Sequence, residues 1–292
     1  MIQRKYIALL SSLLIAAVSG TATADALVNF TLSLNTAKDP GQTYNNFHEA
    51  GAGIKDTFAI GFQIAINGVN GTNVNSSPVA AFCSELQESI SVSTYTFKAQ
   101  NLSTLAAGQA GKAGTASSAI PVGGIGHQRA AYVNYLFDCY YTSEALSGWT
   151  ITTAQPTTQA FQLALWELTH DSDLSITKTT GQVYIGAQTA GTTTQITQRN
   201  NAIALAQSMI DTVRNANISS TYMSTNFSIW ALVNEGSPGY QDVVLATKKT
   251  AAIDKVLEPL LPTPALPEPT TQALITLTAG IFWMVSRFQR RR

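Results

Sequence analysis

Residues 156–171 read PTTQAFQLALWELTHD, and these positions decide what kind of fold the chain builds. Pro156 suits the first turn of a helix, where its fixed φ is already helical and its missing N–H has no partner to lose. Behind it, Phe161, Ala164, Leu165 and Leu168 recur at three- and four-residue spacing, which predicts a helix to about His170 with those side chains buried. On an ideal wheel Gln162 falls at the margin of that stripe beside Leu165 and Trp166, half sheltered and half reachable. A helix this apolar needs a second layer to pack on.

The chain before it supplies strands. Ala26 to Leu34 and Phe58 to Ile66 alternate apolar and polar residues, and Val79 to Cys83 and Ile90 to Phe97 are further strand candidates. Asn67-Gly68 and Asn70-Gly71 are turn signals between them. From Gly126 to Ser143 the period becomes helical, with Tyr132, Tyr135, Leu136 and Cys139 on one face; a third helix is expected over Thr197 to Ala216. Phe227 to Val233 and Gln241 to Ala246 return to strand character. The fold class expected is α+β, a β-sandwich or barrel-like body with an inserted helical subdomain.

Both ends of the chain look like addresses. Arg4 and Lys5, an apolar run from Tyr6 to Val18 and the small residues Ala22-Thr23-Ala24 form a signal-peptide pattern over residues 1–24, with cleavage by signal peptidase between Ala24 and Asp25. At the other end, a proline-rich linker over 249–266 leads to Pro267-Glu268-Pro269, an apolar run and the arginines 287, 290, 291 and 292. Such a linker is an extended, semi-rigid spacer. The widest apolar window, Thr270 to Ser286, makes about 25 Å of helix, short of the ~30 Å of a hydrocarbon core. Arginines beyond it stay on the cytoplasmic side and place the preceding chain outside. The tail, 267–292, resembles the PEP-CTERM signal of Gram-negative bacteria. That resemblance implies transient residence in the inner membrane, recognition by an exosortase, and delivery to the cell surface or extracellular matrix; the alternative reading of the same residues is a permanent single-span anchor of the same orientation.

Processing changes the charge. The precursor is formally neutral, but without Arg4, Lys5 and the four tail arginines eleven basic residues face seventeen acidic ones, a net of −6. An exported domain of that sign is a poor nucleic-acid binder. What lies between, 25–248, is long enough to bury a real core.

The cysteines are Cys83, at the end of a strand candidate in AFCSELQ, and Cys139. Export favours a disulfide between them, and that pairing is one reading. The other comes from the company of Cys83. An aromatic-Cys on a strand, followed by Gln162-Leu163-Ala164-Leu165-Trp166 on a helix, resembles the bacterial thioester domain of surface adhesins, also described as TQXA-type. Gly239-Tyr240-Gln241-Asp242-Val243-Val244 resembles a strand near the end of such domains, so the likeness runs from about Asn29 to Thr247. It implies an internal thioester between Cys83 and Gln162. It departs from the family at Phe161, where Thr is frequent. A rival register on Gln159 would put Phe161 in place of the Ala and Leu163 in place of the Trp, so Gln162 is preferred.

The chemistry explains the residue types. A carboxamide is a poor electrophile and a thiol near its usual pKa of ~8.5 is mostly protonated, so bond formation needs the two held in near-attack contact. The product is an activated acyl group that an amine or hydroxyl on a surface or matrix macromolecule can capture. It acts once and does not turn over, so no enzyme activity and no cofactor are implied. Water must be shielded out, and Phe82, Phe161, Trp166 and Tyr132 are the candidates. The alternative to adhesion is a non-covalent structural or carbohydrate-binding exopolysaccharide-matrix protein with a Cys83–Cys139 disulfide.

Other patterns are weaker. His48, His127 or His170 could serve Cys83 as base in a cysteine hydrolase, yet no local signature of one surrounds them. His170 reads as a cap at the negative end of its helix. Asp171-Ser172-Asp173 opens like a calcium loop but lacks the glycine and terminal glutamate of an EF-hand; it is read as a turn, and no metal site is assigned. Gly123-Gly124-Ile125-Gly126 has no following lysine and is read as a loop.

Overall fold

The structure, a computed structural model, describes residues 26–33, 42–49, 53–59, 61–74, 79–84, 91–102, 125–141, 155–171, 173–179, 181, 183–234 and 242–249. The leader with its Ala24–Asp25 junction, the linker beyond Lys249 and the tail with Pro267, Glu268 and Pro269 lie outside them, as does the Gly123–Gly124 pair. Among the described residues no helix is long and apolar enough to cross a membrane.

The order of elements is β1 (Ala26–Ser33), β2 (Gln42–Glu49), β3 (Gly53–Ala59), β4 (Gly61–Val69), β5 (Thr72–Asn73), β6 (Val79–Cys83), β7 (Thr94–Asn101), α1 (Gly126–Tyr140), α2 (Gln155–His170), β8 (Val183–Ile185), α3 (Thr193–Asn215), β9 (Phe227–Val233) and β10 (Val243–Lys248). Six strands run in the antiparallel order β1-β7-β9-β10-β6-β4, and β4 pairs back onto β1. The sheet therefore closes into a barrel, which leaves no open edge in the ring. β5 is appended to β4 through a two-residue turn at Asn70 and Gly71, both at positive φ (49° and 77°), as a type I′ hairpin requires. A second sheet, β3-β2-β8, stands apart from the ring.

The α+β expectation holds, and the body is a barrel. Its helical part enters between β7 and β9, which are neighbours in the ring, so α1, α2, β8 and α3 form a single long insertion. β1 follows from its alternation: Ala26, Val28, Phe30 and Leu32 are buried and the residues between them are not. Inside, the ring of Phe30 meets those of Tyr95 at 5.7 Å and Phe97 at 5.0 Å. β9 and β10 are apolar almost throughout, and β9 also packs against α1.

Three expectations change. The run Phe58 to Ile66 is two strands in two sheets, β3 and β4. Asn67-Gly68 lies within β4, not at a turn. Cys139 does not sit on the buried stripe of α1: the buried residues are Ala130, Ala131, Val133, Asn134, Leu136 and Phe137, and Cys139 is exposed with Tyr132 and Tyr135 half-buried. The face is turned because Asn134, a polar residue, is buried and satisfied, donating to Ala130 O at 2.8 Å and accepting from the Ser224 N–H at 3.0 Å.

Candidate functional site

β6 carries Cys83 at its last position, and its two neighbours in the ring end at different places. On the β10 side, Val243 stands opposite Cys83 and the Ser84 N–H donates to Asp242 O at 2.9 Å. On the β4 side, the described ladder ends one residue earlier, at Gly61 opposite Phe82. In a strand, N–H and C=O of one residue point to the same flank, and successive residues alternate. With Ser84 bonded towards β10, the backbone of Cys83 faces the β4 side, just past the last described rung.

Gln162 takes that rung. The Cys83 N–H donates to Gln162 Oε1 at 2.9 Å, and Gln162 Nε2 donates back to Cys83 O at 2.7 Å. The side-chain carboxamide thus pairs with the cysteine backbone as an extra strand residue would. Its carbon lies over the residue from which Sγ hangs by two bonds, and its carbonyl is polarised by an N–H donor in a dry interior. Cys83 is 4% exposed and Gln162 0%.

That complete burial corrects the wheel. Every residue of α2 from Thr158 to His170 is buried, because the helix is packed by α1 and α3, by the barrel strands β4 and β6, and by β3 and β8 of the small sheet. A helix covered on all sides has no margin. What lets it approach the barrel is Gly61: a Cβ there would lie 2.9 Å from Thr158 Cγ2 and 3.3 Å from Phe82 Cε1. Thr158 is one turn before Gln162, so the missing side chain sets the depth at which the carboxamide arrives.

The candidate shields divide. Phe82 and Phe161 are fully buried with ring centroids 4.6 Å apart. Trp166 is buried but its ring meets Phe47 of β2 at 5.7 Å, on the small-sheet side of α2. Tyr132 is only half-buried. A residue not named from the sequence completes the aromatic group: Phe137 of α1 stands 4.9 Å from Phe161 and 6.2 Å from Phe82. Its spacing from Ala130 and Val133 on α1 was the available signal. Asp242, named above only as part of a strand, also stands beside the cysteine. Its carbonyl accepts from Ser84 and its Oδ1 accepts from the Asn234 N–H at 2.7 Å, which ties the start of β10 to the ends of β6 and β9 beside the cysteine.

The rival glutamine is occupied elsewhere. Gln159 Oε1 accepts from the Tyr44 hydroxyl at 2.9 Å, across to β2. The two cysteines are not joined: Cys83 is buried in the barrel and Cys139 is exposed on α1. Partial desolvation, against a Tyr135 hydrogen bond, and the charge of Asp138 hold the Cys139 thiol above its ordinary range, which makes it a weak nucleophile. The histidines lie away from the pair. His48 stacks on Tyr184 at 4.4 Å, and His127 is exposed in the first turn of α1. His170 sits eight residues, about 12 Å, along α2 from Gln162, where its Nδ1 lies 3.0 Å from Trp166 O in the last turn. Further along α2 than Gln162, Glu167 is wholly buried; burial first, then the charge of Asp171, push its carboxyl up to about 9.

No protein-family model matches the chain, and no curated protein matches it. Among solved structures it is similar to the N-terminal domain of the Streptococcus pyogenes pilus tip adhesin Cpa, at 14% identity and a TM-score of 0.36 over 72% of this chain and 94% of that one. It is also similar to the N-terminal thioester domain of the fibronectin-binding protein SfbI from Streptococcus pyogenes, at 12% identity and a TM-score of 0.37 over 74% and 96%.

Proposed function

We propose that Cys83 and Gln162 form an internal thioester and that the protein uses it to attach covalently, once, to a nucleophile on a surface or matrix macromolecule. The observation that carries this reading is the two-point hydrogen bonding of the Gln162 carboxamide to the backbone of Cys83. It immobilises the electrophilic carbon beside the one residue whose thiol can attack it, which is the entropic part of the barrier. The Cys83 N–H is aimed at the oxygen that gains charge in the tetrahedral intermediate. In the first step the Sγ–C bond forms, the C–N bond breaks, and the thiol proton leaves with the amino group as ammonia. In the second, an amine forms a C–N bond, the C–S bond breaks, and the cysteine recovers a thiol.

Burial of both residues and the Phe82, Phe161 and Phe137 rings keep competing water away. Small amines reach such a site before large ones do, so a macromolecular amine or hydroxyl requires an opening of the contact. Export by the leader, exosortase sorting by the Pro267-Glu268-Pro269 tail and display on a Gram-negative surface or matrix are parts of the same reading. Intact-mass measurement tests it. The chain should be short by one ammonia and should take up methylamine, Cys83→Ala should abolish both signals, and Cys139→Ala should leave both. A full-mass chain that ignores methylamine leaves a non-covalent matrix protein.

A further inference from the structure

The last turns of α2 end in a cluster of oxygens that the thioester does not use. Glu167 and Asp171 are four residues apart and share a helix face, and Asp173 follows in the turn; one carboxylate oxygen from each lies within 4.8 Å of the others. The turn itself was legible, since the Asp173 N–H donates to Asp171 Oδ1 and the Ser175 N–H to Asp173 Oδ1. Glu167, one helical turn before Asp171, changes its meaning. It is 0% exposed; Oε1 accepts from the Ser175 N–H at 2.7 Å, while the buried Oε2 accepts from no donor. A buried carboxyl oxygen without a donor must be met by a proton or by a cation.

The charges facing the cluster do not balance it. Lys178 Nζ lies 3.2 Å from Asp173 Oδ2 on a side chain that is 54% exposed, and Arg129, whose Nη1 donates to Thr169 O, adds positive charge near Asp171 and Glu167. Among the described residues two cations therefore face three carboxyl groups, a deficit that opens whenever Glu167 is ionised. The negative end of α2 adds to the deficit. Across the cluster, Gly181 comes so close that a Cβ would stand 2.5 Å from Asp171 Oδ2 and 3.2 Å from both Asp173 Oδ2 and the Val183 carbonyl oxygen. The absence of a side chain there lets a backbone turn close over the oxygens.

We propose that Glu167, Asp171 and Asp173 form a divalent-cation site of the calcium type. The donors are all hard oxygens, which excludes a preference for soft or imidazole-seeking metals. Calcium tolerates irregular carboxylate geometry at 2.3–2.6 Å, whereas magnesium demands near-octahedral order and keeps its water. A bound ion would tie the end of α2 to the 173–183 turn and, through the Val183 N–H on Asp171 Oδ2, to the start of β8. The proposal is independent of the thioester.

The test uses the purified full chain, stripped with chelator and melted with and without calcium chloride, with terbium luminescence excited through the neighbouring Trp166 as a direct readout. A saturable melting-temperature rise of about 5–10 °C at hundredfold excess over Kd is expected, with terbium emission that calcium displaces. Glu167→Gln keeps the shape and should fold, yet lose the calcium-dependent rise and the emission; Asp173→Asn should weaken both. A melting temperature indifferent to calcium, absent terbium emission, or a response retained in Glu167→Gln overturns the proposal.

Discussion

Cys83 and Gln162, 79 positions apart, exchange two hydrogen bonds, both through the backbone of the cysteine and both in the buried interior. Since the contact does not use the thiol, it survives replacement of the thiol. Cys83→Ala should therefore fold with nearly unchanged stability while losing the ammonia deficit. Gln162→Ala should lose the deficit and also about 1–3 kcal/mol, because it strips partners from two buried backbone groups. Gln159→Ala, which breaks only the bond to Tyr44, should keep the deficit. Mass spectrometry beside urea titration separates the three, and a deficit that follows Gln159 instead would reassign the acyl residue.

Gly61 sets the distance between α2 and the barrel. Gly61→Ala brings a methyl to 2.9 Å from Thr158 Cγ2, on a stiff β-branched side chain, and to 3.3 Å from the Phe82 ring. The helix or the strand must move. A loss of about 1–3 kcal/mol is expected, together with incomplete thioester formation visible as two masses in one preparation. A single ammonia-deficient species of wild-type stability would show that the close approach is unnecessary.

The Phe82, Phe161 and Phe137 group packs the dry side of the contact. Phe161→Ala should cost about 3–5 kcal/mol, and any thioester that forms should hydrolyse faster as water gains entry. Phe161→Leu should be milder in both. The check is a time course of intact mass at neutral pH. Equal hydrolysis rates in wild type and Phe161→Ala would remove these rings from the shielding role.

Asp138 of α1 holds the segment that leads into β9. Its carboxylate accepts from the Tyr222 hydroxyl at 2.7 Å, the Ser224 hydroxyl at 2.6 Å, the Thr225 N–H at 2.8 Å and both the backbone and side-chain nitrogens of Asn226. Burial alone would raise this carboxyl, but these donors outweigh it and hold it below its ordinary value. A folded-state pKa depressed from about 3.9 gives stability that is complete above that pH and is lost as the pH falls through the depressed value. Asp138→Asn should flatten the acid limb of the stability curve and cost about 1–3 kcal/mol at neutral pH. Urea titrations from pH 2 to 7 measure both; an unchanged acid limb would mean that other carboxylates set it.

How much of this was readable beforehand depends on the local pattern. β1, β6 and β9 announce themselves by clean alternation or by apolar runs, and α2 by its spacing and Pro156. β2, QTYNNFHE, was passed over: only Tyr44 and Phe47 are apolar landmarks, and a register shift between them, with Asn46 at φ 57°, breaks the period of two. β8 is three residues long and exists because β2 pairs with it. The true start of α3 was available and missed, since Thr192-Thr193-Thr194-Gln195 is a capping box, four residues before the expected beginning. Cys83 and Gln162 were visible as residue types. The burial of Gln162 was not, because a wheel records one apolar face and cannot know that a second layer covers the other.

The strand opposite the cysteine also fixes how the domain would carry tension. Val243 faces Cys83 at one end of β10, and Lys248 faces Phe227 at the other, with β6 and β9 on the two flanks. A pull on the chain beyond Lys248, resisted at Gln162, runs along about 17 Å of strand and strains the rungs on both flanks together. The polypeptide would have to slide in shear before it could peel, so a partner bonded at Gln162 would be joined to the exit of the chain at Lys248 along the strand direction of the sheet.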